Sequence, residues 1–155
     1  MHEWAAWDPS LGWTILLLAL TVAIHVTGIV LIAGGIERVI AKLPKLDVTH
    51  IGTSIISIAL IVVVALGLAV LHGVECVVWA MAYLHLGALT TPADAALYSV
   101  DSMITRGASG IDLSAQWRMM GATEGGDGVL LFGISTAFLF YAMLRIWGKN
   151  PEGAA

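Results

Sequence analysis

Arg106 lies in a short polar loop, TRGASG, between two hydrophobic segments of the chain. Non-helical backbone enters the hydrocarbon depth of a membrane only where protein or water surrounds it. A guanidinium group that faces such a water-filled path repels cations and attracts anions. The loop therefore contains candidates for the lining of an ion pathway, and these are Thr105, Arg106, Gly107, Ala108, Ser109, Gly110 and Asp112.

The effect of Arg106 depends on where its side chain points. Four guanidinium groups at about 6 Å from a shared axis would repel a monovalent cation by roughly 11 kcal/mol in total at an effective dielectric near 20. Alternatively, the side chain points away from the axis and pairs with a carboxylate, as intramembrane arginines usually do. We favour this second orientation, which leaves a wide and weakly selective path, and the candidate partners are Asp101, Asp112 and Glu75.

A short helix is predicted immediately before the loop, over residues 92–104. Thr91 is a suitable N-cap, Pro92 suits the first helical position, and Asp94 completes a T-x-x-D capping box. A helix of this length reaches about 20 Å, which is too short to cross a bilayer. We expect it to be re-entrant and buried among other helices; a helix lying on the membrane surface, followed by an extracellular loop, is the alternative.

The composition is typical of an integral membrane protein, because 59% of the 155 residues are hydrophobic and 12% are charged, with a mean hydropathy of +0.91. The single cysteine, Cys76, excludes an intramolecular disulfide. The sequence has no phosphate-binding glycine loop, nucleophile elbow or paired histidine motif, and no basic patch. We therefore expect neither an enzyme nor a nucleic-acid-binding protein.

Three hydrophobic segments are long enough to be membrane spans, at about residues 11–36, 50–87 and 126–147. A cleaved signal peptide is the alternative for the first, but its leader is acidic and its apolar run is too long. The second would be roughly 55 Å long as one helix. It therefore requires strong tilt, a break near Gly67 or Gly73, or a portion outside the membrane.

Basic residues near the ends of these segments indicate the orientation. They follow the first span at Arg38, Lys42 and Lys45 and the last span at Arg145 and Lys149. The positive-inside rule places both groups in the cytoplasm, so the N terminus and the polar loop lie outside. The predicted fold is an all-α membrane protein with three transmembrane helices and a re-entrant helix and loop between the second and third.

Four polar or aromatic residues of the second segment lie along one helix face, at His72, Glu75, Trp79 and Tyr83. Lipid would be an unfavourable neighbour for this stripe. We expect it to face the short helix and to support the loop from behind. The predicted supports of the loop are therefore His72, Glu75 and Trp79, together with Asp101 on the short helix.

Metal or haem binding is the alternative role of these side chains, with His25, Cys76 and His85 as further ligands. His85 lies about 220° from His72 around a straight helix, so the two cannot share one site. His25 lacks a second histidine at ligand spacing. Because membrane histidines more often form hydrogen bonds within a helix bundle, we expect no metal and no cofactor.

Two acidic residues, Glu124 and Asp127, come shortly before or within the start of the third segment. With Asp112 they are candidates for an acidic outer vestibule that concentrates cations. Solvated surface charge is the simpler interpretation.

The order of motifs from His72 to Trp147 resembles a group of small bacterial membrane proteins in the pore-loop ion-channel superfamily, which includes the two-span potassium channels. The resemblance lies in A-L-Y-S of the short helix, W-R-M-M-G-A-x-E after the loop and L-L-F-G-x-S-T-A of the last segment. It implies a channel domain over residues 48–155, preceded by an extra span and a cytoplasmic basic loop over residues 1–47.

Within that domain the resemblance implies an outer helix at 50–87, a pore helix at 92–104, a filter-like loop at 105–112 and an inner helix at 126–147, with Gly133 as a gating hinge. It also implies a homo-oligomer, usually a tetramer, in the bacterial inner membrane.

The loop departs from the potassium-channel filter, because TRGASG stands in place of T-T-x-G-Y-G-D. The tyrosine is missing, and Gly107 and Gly110 are three residues apart rather than two. A potassium filter depends on stacked rings of inward-facing carbonyl groups, so we expect no potassium selectivity.

The sequence therefore predicts an oligomeric pore-loop ion channel that passes small ions passively through a wide or anion-tolerant pore. A non-conducting, channel-like scaffold or regulatory subunit is the alternative. The expected partners are further copies of the chain, the lipid bilayer and small inorganic ions.

Overall fold

A computed structural model describes residues 9–42, 50–107 and 110–147. It contains four α-helices, and no strand occurs within these three ranges: α1 is Pro9–Lys42, α2 is His50–His85, α3 is Pro92–Met103 and α4 is Arg118–Trp147, with a 3₁₀ turn at Ala115–Trp117 just before α4. The predicted roles of Lys45, Ala108, Ser109 and Lys149 concern residues outside the described ranges.

Helices α1, α2 and α4 are long and apolar enough to cross a membrane. The prediction of an all-helical chain with three such segments is confirmed. Helix α2 has 36 residues without interruption, which excludes a break in the helix at Gly67 or Gly73. At 1.5 Å per residue α2 is about 54 Å long, and a helix of that length that crosses a bilayer has to tilt or extend outside it.

The last helix begins at Arg118, whereas the sequence predicted residue 126. Glycine lowers helix propensity, and three of the four residues after Glu124 are glycines, at 125, 126 and 128. The helix forms nevertheless, because Glu124 and Asp127 are buried with hydrogen-bond partners and the glycines let α3 approach closely. A Cβ atom at Gly128 would collide with the carbonyl oxygen of Met103, and one at Gly121 with the hydroxyl of Tyr98.

The described residues divide into two compact units, and the first comprises those within 9–25 and 72–132. Helix α3 and the loop that follows it belong to this unit. The core of the unit is formed by large apolar side chains from all four helices and from the loop: Leu17, Trp79, Tyr83, Tyr98, Met103, Leu113, Met120 and Leu131.

The second unit comprises the described residues within 26–71 and 133–147. Its described core consists of Ile36, Ile40, Val64, Leu68, Phe138, Ala142 and Ile146. Glu37 and Arg145 form a two-pronged ion pair within it, with Nε and Nη2 of the arginine 2.6 Å and 2.9 Å from the two carboxylate oxygens. This geometry is the strongest form of the arginine–carboxylate interaction.

The contact at Gly128 yields a test of how closely α3 packs on α4. We expect Gly128→Ala to lower the free energy of unfolding by about 1–3 kcal/mol, because the added methyl group meets rigid backbone rather than a movable side chain. Gly35→Ala, in α1, is the control: a Cβ there meets nothing within 4 Å, and alanine is the better helix former by about 1 kcal/mol. Unfolding in mixed detergent micelles measures the free energy of unfolding of both variants. An equal change in the two variants would contradict the close contact between Gly128 and Met103.

Candidate functional site

The connecting loop, residues 104–114, starts from a well-formed helix end. The amide of Thr105 donates to the carbonyl of Ser102 at 2.9 Å, and the amide of Arg106 donates to the carbonyl of Asp101 at 2.9 Å. These two bonds are the pattern of a Schellman motif, with Thr105 at the position that glycine usually occupies. The backbone amides of two predicted loop residues are therefore engaged by the end of α3.

Thr105 has a left-handed backbone conformation with φ of 57°. A β-branched residue is a clear outlier in this region, which costs roughly 1–2 kcal/mol relative to glycine. Gly107 and Gly110 also have positive φ, at 80° and 81°, where glycine carries no such cost. Three left-handed positions within six residues make the loop irregular rather than extended.

The side chain of Arg106 is exposed, but its guanidinium group contacts a buried carboxylate. Its side chain is 65% exposed, and Nη1 lies 3.3 Å from Oδ1 of Asp101, whose side chain is 1% exposed. Of the three carboxylates considered as partners, Asp101 is therefore the one that Arg106 contacts. The pair joins an exposed cation to a buried anion, so the loop carries a charge that is only partly offset.

The other end of the loop is anchored by Leu113. This side chain is 4% exposed and belongs to the core of the first unit. Its carbonyl oxygen lies 3.4 Å from Nε of Arg118 at the start of α4. Asp112, next to it, is exposed, so the predicted acidic end of the loop faces outward while its neighbour faces the core.

An open groove of about 450 Å³ lies beside α3, the loop and the first turns of α4. Its α4 side consists mostly of residues with little or no side chain. The groove is lined by Tyr98, Ser102, Thr105, Gly107, Gly121, Ala122, Gly125, Gly126 and Val129. A surface of this kind lets another backbone approach closely.

Glu124 is buried and joins three helices. Tyr83 of α2 donates its hydroxyl proton to Oε2 at 2.7 Å, and Oγ of Ser99 on α3 lies 2.5 Å from Oε1. Ser99 also lies 2.8 Å from the carbonyl oxygen of Cys76. Because a serine hydroxyl has one proton, it satisfies both contacts only when the carboxyl group supplies the other proton.

Asp127 is the second buried acid of α4, with 1% of its surface exposed. Thr21 of α1 and Trp79 of α2 both donate to its Oδ2, at 2.6 Å and 3.0 Å. The sequence offered two interpretations of Glu124 and Asp127, an acidic outer vestibule and solvated surface charge. Both interpretations are therefore wrong for these two residues. Their positions three residues apart direct both into the core, where hydroxyl and indole donors compensate the loss of water.

His25 and Glu75 are fully buried, and the histidine Nδ1 lies 2.7 Å from Oε1 of the glutamate. Nδ1 of His72 lies 3.1 Å from Oε2 of the same glutamate. The ring of His72 stacks on Phe132 with centroids 4.2 Å apart. One carboxylate of α2 is thus placed between an imidazole of α1 and an imidazole of its own helix.

The predicted supports of the loop differ in what they contact. Asp101 contacts the loop directly through Arg106. Glu75 contacts His25 of α1, and Trp79 donates to Asp127 of α4. These two side chains therefore link helices, and the expectation that they support the loop from behind stays a prediction.

The left-handed backbone conformation of Thr105 at the end of α3 can be tested by substitution. We expect Thr105→Gly to raise the free energy of unfolding by about 1 kcal/mol, because glycine adopts a positive φ without the steric cost. Thr105→Ala is the control, since it removes the branched side chain and retains the cost. If alanine raised the free energy of unfolding as much as glycine does, the result would contradict the left-handed conformation of Thr105.

The bond between Tyr83 and Glu124 gives a second test. Tyr83→Phe removes the donor and leaves a buried carboxyl oxygen without it, so we expect a loss of about 1–3 kcal/mol in the free energy of unfolding. Tyr141→Phe is the control: Tyr141 is 53% exposed, and such surface changes stay within about 0.5 kcal/mol. Equal losses would show that the hydroxyl of Tyr83 does not stabilise the bundle.

Comparison with known proteins gives no assignment: no protein-family model, no curated protein and no solved structure matches this chain.

Proposed function

We propose that the chain forms an oligomeric pore-loop ion channel that passes small ions passively and is not selective for potassium. One observation carries the proposal: a short, capped helix between two long apolar helices packs among them and ends in an exposed, irregular loop. This arrangement is what a re-entrant pore helix and loop require, and it supports the resemblance found in the sequence.

The depth at which α3 packs supports a re-entrant position. Ser99 contacts the carbonyl of Cys76, which lies nine residues before the end of α2 at His85. At 1.5 Å per residue this contact is about 13 Å below the helix end. Helix α3 therefore lies alongside α2 rather than beyond it.

Exposed apolar side chains occur at the same level as α3. Val77 and Met81 of α2 are 56% and 64% exposed, and Leu97 and Val100 of α3 are 45% and 43% exposed. Lipid or a further protein surface would cover such residues, whereas water would not. The side of α3 that faces away from the bundle therefore carries apolar side chains, and these exposures favour burial of α3 within the membrane.

The loop then needs surroundings other than lipid, since its backbone is not paired within a helix. Further copies of the chain around a water-filled axis meet this need. The groove beside α3, with Gly121, Ala122, Gly125 and Gly126 on its α4 side, offers a surface for close packing of a neighbouring copy. These features favour a homo-oligomer, and the family resemblance favours a tetramer.

Weak ion selectivity follows from the loop itself. The filter tyrosine is missing and Gly107 and Gly110 are three residues apart, and both features disfavour the regular carbonyl stack of a potassium filter. The charge of Arg106 is offset in part by Asp101. A path lined in this way would tolerate anions and would discriminate little between small cations.

The proposed channel lies in the bacterial inner membrane with its N terminus outside and its C terminus in the cytoplasm. The basic residues Arg38, Lys42 and Arg145 support this orientation. Gly133 remains the proposed hinge of α4. A Cβ at this position meets nothing within 4 Å, so Gly133→Ala tests bending without adding a clash, and unchanged open probability would remove the hinge.

Ion flux through purified protein in liposomes tests the proposal. We expect the wild-type chain to pass potassium, sodium and chloride, and Arg106→Gln to shift the reversal potential toward the cation potential because four positive charges leave the path. Arg38→Gln is the control, an exposed arginine of α1 away from the loop residues, and it should leave the reversal potential unchanged.

Absence of flux under voltage, tension and pH change would overturn the channel and favour the non-conducting scaffold. Flux with an unchanged reversal potential in Arg106→Gln would keep the channel and exclude Arg106 from the path. A strong preference for potassium would contradict the proposed selectivity.

A further inference from the structure

The most concentrated group of metal-ligating side chains in the described residues is formed by His25, His72 and Glu75. One ligand atom from each lies within 4.8 Å of the others. His25 and Glu75 are fully buried, and His72 is 9% exposed. The group lies in the first unit and is separate from the connecting loop, so its chemistry does not depend on ion flux.

Two features of the backbone bring these side chains together. His72 and Glu75 are three residues apart on α2, so they project from the same face of the helix. His25 comes from α1 and completes the group from the opposite side. The sequence argument against a metal was that His25 has no second histidine at ligand spacing along the chain; His72 supplies it across the helix pair.

The distances are of the order of the edges of a coordination sphere. Zinc binds imidazole nitrogen and carboxylate oxygen at about 2.0–2.2 Å, so neighbouring tetrahedral ligand atoms lie roughly 3.3 Å apart. Here the carboxylate of Glu75 has Oε1 2.7 Å from Nδ1 of His25 and Oε2 3.1 Å from Nδ1 of His72. The three ligand atoms lie close enough together for one ion to contact all of them.

The donor set also has the chemistry of a metal site. Two imidazoles and one carboxylate are a common ligand set for zinc and for non-haem iron, with one or more positions left for water or another ligand. Oε2 of Glu75 receives no hydrogen bond of ordinary geometry from the described residues, although it is fully buried. A divalent ion would neutralise the carboxylate and occupy this oxygen.

We propose that His25, His72 and Glu75 bind one divalent first-row transition-metal ion and thereby join α1 to α2. Hydrogen bonding alone, His25 to Glu75 and His72 to Glu75, is the competing account. The two differ in one measurable property, because only the metal site gives stoichiometric binding whose spectrum reports nitrogen and oxygen ligands.

Cobalt and zinc are the probes. Full-length protein is purified in detergent, freed of metal with a chelator and titrated with Co²⁺, whose d–d absorption reports the ligand set; Zn²⁺ is then used to displace it. We expect one Co²⁺ per chain, displacement by Zn²⁺, and a Zn²⁺-dependent rise in the midpoint of thermal unfolding.

Variants locate the site. His25→Gln, His72→Gln and Glu75→Gln should each weaken binding by more than the roughly 10- to 100-fold that changes outside the ligand set produce. His85→Gln is the matched control, since His85 lies on the same helix and is exposed. The affinity of this variant for Co²⁺ should equal that of the wild-type protein.

Absence of stoichiometric Co²⁺ binding in the wild-type protein would overturn the proposal, whether or not the variants fold. Binding that His85→Gln abolishes, or that all three ligand variants retain, would also overturn it. Circular dichroism and size-exclusion chromatography of each variant distinguish lost ligands from lost folding.

Discussion

The structure depends on the burial, among apolar helices, of the three carboxyl groups that link one helix to another: Glu75, Glu124 and Asp127. An unpartnered acid in such surroundings costs several kcal/mol, so the positions of Glu75, Glu124 and Asp127 determine where donors must lie. Asp127 takes its donors from α1 and α2, and Glu124 takes a hydroxyl donor from α2 while contacting α3. The short helix is therefore fixed in part by an acid that lies in another helix, and the loop begins where that helix ends.

Patterns that depend on neighbours along the chain were readable from the sequence. The cap of α3 is one of these, because Thr91 accepts a hydrogen bond from the amide of Asp94, three residues away. The three long apolar segments are another, since length and composition alone identify them. The start of α4 was placed too late, because the glycines of residues 121–128 lower helix propensity while the contacts that favour the helix come from α2 and α3.

The candidate site could be predicted from the sequence only in part, because its contacts also join residues that are distant along the chain. His72, Glu75 and Trp79 were recognised as one buried stripe from their spacing, but their partners His25 and Asp127 lie 47 or more residues away along the chain in either direction. Glu124 and Asp127 looked like surface acids because they stand among glycines. The spacing of three residues between them, within a segment that continues as an apolar helix, was the available signal that both face one side.

The contact between Gly128 and Met103 has a mechanical consequence. With no side chain on the glycine, the backbone of α4 lies directly against the last turn of α3, and no flexible group between them can absorb a displacement. Met103 precedes Thr105 by two residues. A rotation or shift of α4 at this level must therefore displace the end of α3. The displacement of α3 then moves the start of the loop by a similar amount.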